Sequence, residues 1–304
     1  MSAGDDGTRT GPEAISSPSS TRLHGNGLGS ARGLFDAFQR SPLSGLTPWI
    51  AVSLINGPGR FAVAAVVALG ISALLTTTGH RRGTRVKPLE VMDMAYFTIL
   101  TVFALGAPAG ALRWMEHWSG EIANVALVVF ALGSIVLRNP FTLAYAREQT
   151  PQDYWNTPAF LRINYLITWA WTLSFLLSMI SGAYGDLVLR DDDNFWTAWI
   201  IQIAGTVAAA AFTAWYPRVA EARELARVGA PIDEPAPPLW KLFEWVPSFT
   251  AITGIALIVT SSGPTLLGAV LIVLGVAGTA LLRAAQRRHA GSDVAPTDPG
   301  QLRS

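Results

Sequence analysis

The residues of this chain whose types could do chemistry are few: four histidines, two carboxylates at the start of an apolar run, and two stripes of uncharged polar groups. His24, His80, His117 and His289 lie in loops and tails. None pairs four residues apart within an apolar run, so the helix-borne histidine ligation of a membrane haem has no donor set. Glu90 and Asp93 open an apolar run, where carboxylates suit the positive end of a helix. A gating or proton-linked role for Asp93 is the alternative reading. Asn164, Thr168 and Thr172 recur every four residues with Trp171 beside them, and Gln202 and Thr206 form a similar pair. Such groups bond across helices inside a membrane or line a path for an uncharged substrate. No Walker A run, Gly-x-Ser-x-Gly elbow, His-Glu-x-x-His pair or EF-hand loop occurs. The expectation is no enzyme, no cofactor and no metal.

The elements that must position these groups follow from composition. The chain has 304 residues, of which 50% are hydrophobic and only 14% charged. A soluble domain carries roughly 25% charged residues. A water-soluble enzyme, a disordered protein and a coiled coil are excluded. Cysteine is absent, and the net charge of +1 offers no general attraction to nucleic acid.

A helix that crosses a bilayer needs roughly 17–25 apolar residues. Residues 61–78, 91–109, 122–137, 163–184, 195–216, 246–261 and 265–282 meet or approach that length. The predicted fold is therefore all-α, a polytopic transmembrane bundle with seven spans. An eighth piece, 46–55, is short and ends at the turn signal Asn56-Gly57-Pro58-Gly59. It either extends back to Pro42 as a thin span or folds as a re-entrant half-helix. No span, so bounded, carries a charge near its middle, which argues against a proton relay, a voltage sensor or an ion-coupled carrier.

Residues 1–44 are rich in Ser, Gly and Thr and read as a disordered tail. Asp5, Asp6, Arg9 and Glu13 interrupt any signal-peptide core. Within this tail Ala31–Arg40 has Leu34, Phe35 and Phe38 on one face, the pattern of a short interfacial helix. The core is 45–230. Residues 231–245 form a Pro-rich linker with a PxxP pattern, 246–283 a C-terminal hairpin rich in Gly, and 284–304 a second disordered tail.

With eight crossings, 19 of the 22 basic residues fall on one side, and only Arg60, Arg113 and Arg190 on the other. The positive-inside rule then places Arg81–Lys87, Arg138–Arg162, Arg218–Lys241 and both termini in the cytoplasm, in a plasma (inner) membrane. Trp114, Trp118, Trp196 and Trp199 mark one interface, and Trp155, Trp215, Trp240 and Trp245 the other.

The inner loop RNPFTLAYAREQTPQDYWNTPAFL holds three helix starts of one kind. Asn139-Pro140, Thr150-Pro151 and Thr157-Pro158 each put a capping side chain before a proline. Phe141 and Tyr145 share a face, against lipid or the bundle. With Trp155 and the Asn164 face they are the expected interaction surface, Asn164 tying the loop to a neighbouring span.

The short first segment is followed by the loop GHRRGTRVK, the loop QTPQDYWNTPAF and the span RINYLITWAWTLSF, with Trp155, Asn164, Trp169, Ala170 and Phe175 among them. Over about 46–217 this order of features resembles the intracellular septation protein A family of bacterial inner-membrane proteins. The resemblance implies a role in envelope integrity and division through contacts with other membrane proteins of that machinery, and no catalytic residue. The runner-up function is a permease or flippase for an uncharged or lipid-like substrate, using the faces of Asn164, Thr168 and Gln202.

Overall fold

A computed structural model describes residues 41–229 and 235–292. The expected interfacial helix Ala31–Arg40 and the ends of both tails lie outside the described residues. The described residues are helical throughout: α1 (Pro42–Ile55), α2 (Phe61–Arg81), α3 (Pro88–Gly106), α4 (Ala109–Val136), α5 (Thr142–Arg147), α6 (Pro158–Tyr184), α7 (Ile201–Val228), α8 (Val246–Val259) and α9 (Thr265–Ser292). Seven of the helical segments are long and apolar enough to cross a bilayer. The chain is a multi-pass membrane protein. Leu105, Val259 and Leu266 stay more than three-quarters exposed, as side chains facing lipid do.

The first helix shows why the short apolar piece is a helix at all. Ser41 accepts the amide of Leu43, and Pro42 occupies the first helical position, where its missing N–H costs nothing. The fourteen residues extend about 21 Å, short of a hydrocarbon core of about 30 Å. Gly45 at its start lets the Leu89 side chain and the Tyr145 hydroxyl close in, and a Cβ there would sit 2.5 Å from Leu89 Cδ2. Asn56 at its end donates through Nδ2 to the Glu116 carbonyl and the Ser119 hydroxyl of α4, each at 2.9 Å. α1 thus runs parallel to α3, starting at the end of the bundle that carries the loops 82–87 and 138–157. We call this the Arg-rich end.

The third span is longer than its hydropathy pattern indicates. Residues 109–121 continue the helix of 122–137, although Arg113, Glu116, His117 and Glu121 make them read as a loop. Ala, Leu, Met, Arg and Glu are good helix formers, and they carry the helix on despite Gly110 and Gly120. Glu121 therefore lies near the middle of α4 and packs against Gly182 of α6, where any side chain would collide with its carboxylate. The apolar run 122–137 still carries no central charge, since Glu121 stands one residue before it.

α6 and α7 form an antiparallel pair. Ser181 Oγ donates to the Thr197 carbonyl at 2.9 Å, and Trp171 Nε1 donates to Thr213 Oγ1 at 3.0 Å. Between these contacts, Ser174 meets Gly205. The chain turns at the opposite, acidic end through two π-helical segments, Gly185–Leu189 and Phe195–Ile200. A π-turn leaves carbonyls without their usual helical donors. Thr197's carbonyl accepts Ser181 from α6 and also Gln202 Nε2 at 3.1 Å.

α8 and α9 form a hairpin packed backbone to backbone. A Cβ on Gly254 would lie 2.5 Å from the Gly268 carbonyl, and one on Gly275 would lie 2.5 Å from the Pro247 carbonyl. The segment before it is pinned to α7, where Trp215 Nε1 reaches the carbonyls of Pro237 and Pro238, each at 3.2 Å. Pro238 has the polyproline geometry expected of the linker, with φ −66° and ψ 156°. α9 runs on to Ser292, past residue 284, where the tail was expected to begin. Ala, Arg and Gln are good helix formers and extend the helix beyond its apolar part.

Candidate functional site

The loop from Arg138 to Thr157 is ordered, but not through three caps. Thr157 caps α6, its hydroxyl accepting the Phe160 amide at 3.3 Å. Neither Asn139 nor Thr150 makes a side-chain cap. α5 begins two residues after Pro140, and Pro151 leads into a 3₁₀ turn at Gln152–Tyr154. Trp155 Nε1 instead donates to the Thr150 carbonyl at 2.9 Å and closes the turn.

Burial holds the rest of the loop. Phe141 and Tyr145 are 1% and 2% exposed, so they face the bundle and not lipid. Phe141 packs on Phe130, and its amide donates to Ser134 Oγ at 3.2 Å. Thr142 Oγ1 donates to the Asn164 carbonyl at 3.0 Å and lies 2.7 Å from Thr168 Oγ1. Sequence reasoning placed this tie on the Asn164 side chain. The backbone of Asn164 makes it instead, and Asn164 Nδ2 turns back to the Phe160 carbonyl within its own helix at 2.9 Å.

Below the loop lies an ion pair that the sequence reading missed. Lys87, the residue before Pro88, is 2% exposed. Its ammonium lies 3.2 Å from Glu148 Oε2 and 3.8 Å from Glu90 Oε1, and 4.7 Å from the centre of the Tyr145 ring. Glu90 also accepts the Lys87 amide at 3.2 Å, the capping expected of it. Burial pushes the Tyr145 phenol well above its ordinary value, and Asp93, Glu90 and Glu148 add to the shift. The only signal in the sequence was composition. A chain with 20 Arg and 2 Lys places one of those Lys directly before a helix-starting proline.

Asp93 sits one turn deeper. It is 2% exposed and accepts Trp49 Nε1 of α1 at 2.7 Å. Trp49 stacks on Tyr96 with centroids 4.6 Å apart. Asp93 is therefore neither a cap nor a side chain reaching for the surface. It is the acceptor that fixes α1 to α3.

Asn164, Thr168 and Thr172 are all buried, and Thr172 Oγ1 donates to the Thr168 carbonyl at 2.8 Å. Gln202 does not join them. It lies opposite Ser181, seventeen residues along α6 from Asn164, about 25 Å away at helical rise. The three residues expected to share a polar path lie at opposite ends of the bundle, each engaged locally.

At the Arg-rich end the loops border a half-open cavity of about 530 Å³. Arg82, Arg85, Lys87, Arg147, Glu148 and Trp155 line it, with Thr84 and Asn139. The guanidinium carbons of Arg147 and Arg85 stand 5.4 and 5.9 Å from the centre of the Trp155 ring.

Against models of protein families, curated proteins and solved structures, the chain finds no match.

Proposed function

We propose that this multi-pass protein is an interaction protein of the plasma membrane that serves envelope maintenance. Its working surface is the Arg-rich end, held on the cytoplasmic side by the excess of basic residues there. The observation that carries the reading is the locking of the 138–157 loop onto the bundle through Phe141, Thr142, Tyr145 and Glu148. A loop fixed at four points presents its outer residues, Tyr154 and Trp155, in one arrangement. The resemblance to the intracellular septation protein A family points the same way, toward division and envelope integrity through other membrane proteins. It rests on the residues named for it and supplies no catalytic role.

The rival reading is a permease or flippase for an uncharged or lipid-like substrate. It gains nothing from Asn164, Thr168 and Gln202: Asn164 Nδ2, Thr168 and Gln202 bond within the bundle, Asn164 Oδ1 is buried without a partner among the described residues, and none of the three borders the cavity.

The test uses a strain deleted for the protein and complemented with variants. Alanine at Phe141 or Tyr145 would empty a core position and lower stability by about 3–5 kcal/mol, so those variants do not separate folding from function. Gln152→Ala with Tyr154→Ala alters the exposed face and leaves Trp155 in its turn. The expected result is normal accumulation with loss of protection under envelope stress, and loss of photo-crosslinks formed from position 156. Full complementation by the double variant, together with substrate uptake by the wild type in vesicles, would replace this reading with the rival.

A further inference from the structure

We propose that the cavity at the Arg-rich end is a binding site for a phosphate-bearing anion at the bilayer surface. Four cationic side chains border it, Arg82, Arg85, Lys87 and Arg147, against the single carboxylate of Glu148. Glu148 is already paired with Lys87 at 3.2 Å, and Arg85 and Arg147 have no carboxylate partner among the described residues.

Two of the cations are held for the purpose. Arg85 and Arg147 both lie over the Trp155 ring. A cation within about 6 Å of an indole face is attracted to it, which holds both guanidinium groups beside Trp155. Arg147 Nε is buried without a hydrogen-bond acceptor among the described residues. A buried charged donor without an acceptor is a costly arrangement that a ligand oxygen would relieve. The matching acceptor is an oxyanion with several oxygens, since two guanidinium edges take up a phosphate through paired N–H···O bonds. Thr84 and Asn139 add uncharged polar groups on the same lining.

Depth in the membrane points to the same chemistry. Arg82–Lys87 immediately precede α3, and Trp155 lies three residues before α6 begins. Residues directly outside two spanning helices stand at the level of lipid phosphates. Basic pockets between spans on such a surface take anionic headgroups. The ligand is a phosphate ester, carried on a lipid or free in solution, and its oxygens bind between Arg85 and Arg147. The site is independent of the envelope reading, since it requires only the cavity and its depth.

The test uses the full chain, purified and reconstituted in nanodiscs of phosphatidylcholine with and without phosphatidylglycerol. Bound lipid is counted by mass spectrometry after detergent exchange, and thermal shift is followed with inorganic phosphate and with glycerol 3-phosphate. The wild type should retain phosphatidylglycerol over phosphatidylcholine. Arg85→Gln, at an exposed position that leaves the fold intact, should weaken retention by about tenfold, as should Arg85→Gln with Arg147→Gln. Arg162→Gln, an exposed arginine at the same end but outside the cavity, should leave retention unchanged. Competition by the soluble phosphates would assign recognition to the phosphate itself, and retention without competition would assign it to a membrane-held headgroup. Both outcomes support the site. Equal retention of the two lipids with no shift by either phosphate, or equal losses in Arg85→Gln and Arg162→Gln, would overturn it.

Discussion

The ammonium of Lys87 and the carboxylate of Glu148 lie 3.2 Å apart, joining the turn before α3 to the end of α5 across 61 residues of sequence. Both are nearly enclosed. Removing one partner of a buried pair strands the other and costs about 3–5 kcal/mol, whereas replacing both by apolar groups is often neutral. Lys87→Met should therefore lower the thermal midpoint in detergent sharply. Lys87→Met with Glu148→Leu should recover most of the loss. A double variant no better than the single would show that the pair is not what holds the loop.

Trp49 and Asp93 make the corresponding tie between α1 and α3. Trp49→Phe keeps much of the packing and removes the indole donor. It leaves a buried carboxylate without that bond, at about 1–3 kcal/mol. Asp93→Asn retains an acceptor and should cost less than Trp49→Phe. The two single variants and the double form a cycle whose coupling energy, read from chemical unfolding, should exceed about 0.5 kcal/mol. Additive effects would mean that the 2.7 Å contact carries no energy.

Tyr145 sets a pH limit. Its phenol is held above the ordinary 10.0 by burial first and by neighbouring carboxylates second. The folded state keeps this proton where the unfolded state loses it. Stability from this group is present below about pH 10 and declines as pH rises above it. Tyr145→Phe removes that dependence, so its stability should fall less steeply than wild type in alkali. While the protein stays folded, both should show the same rise in phenolate absorbance.

The absence of cysteine makes topology directly testable. Arg81→Cys and Gln149→Cys should resist an impermeant thiol reagent in intact cells, and Arg113→Cys should react. Labelling of the first two and protection of the third would invert the orientation.

The hairpin α8–α9 should be separable. A chain ending at Val228 is expected to insert and remain soluble in detergent. Gly275→Val, which sets a side chain against the Pro247 carbonyl, should disrupt the hairpin and leave the Trp171–Thr213 contact intact. Aggregation of the truncated chain, with normal expression of its message, would join the two parts into one folding unit.

The span count and the helical class were legible because a bilayer imposes them on every apolar run of sufficient length. The packing of Glu121 was not legible, because only Gly182, 61 residues away, makes room for it. Lys87 and Arg85 look alike in a count of loop charges. Both border the cavity, but Lys87 is sealed under Tyr145 while Arg85 is exposed, and that difference lies in what α5 brings over them. Asn164 was legible as a contact point between loop and span but not in the atom that makes the contact. A buried amide and its own backbone carbonyl share one position in sequence. Gln202 looked like part of a polar stripe because periodicity within a helix says nothing about which end of the neighbour it meets.

The π-turn at Phe195–Ile200 makes the chain unevenly tolerant of length change. A π-turn holds about one residue more than an α-turn. Deleting one residue there would relax it to ordinary helix and leave α7 in phase, with Thr213 still beneath Trp171. The loss would be local, confined to the donors of Ser181 and Gln202 at the Thr197 carbonyl. Deleting one residue between Ile201 and Thr213 would instead swing the contact face of α7 by about 100° and turn Thr213 away from Trp171. Residues 195–200 are thus a place in this pair of helices where the gene could lose a codon without turning the bundle's inner face toward lipid.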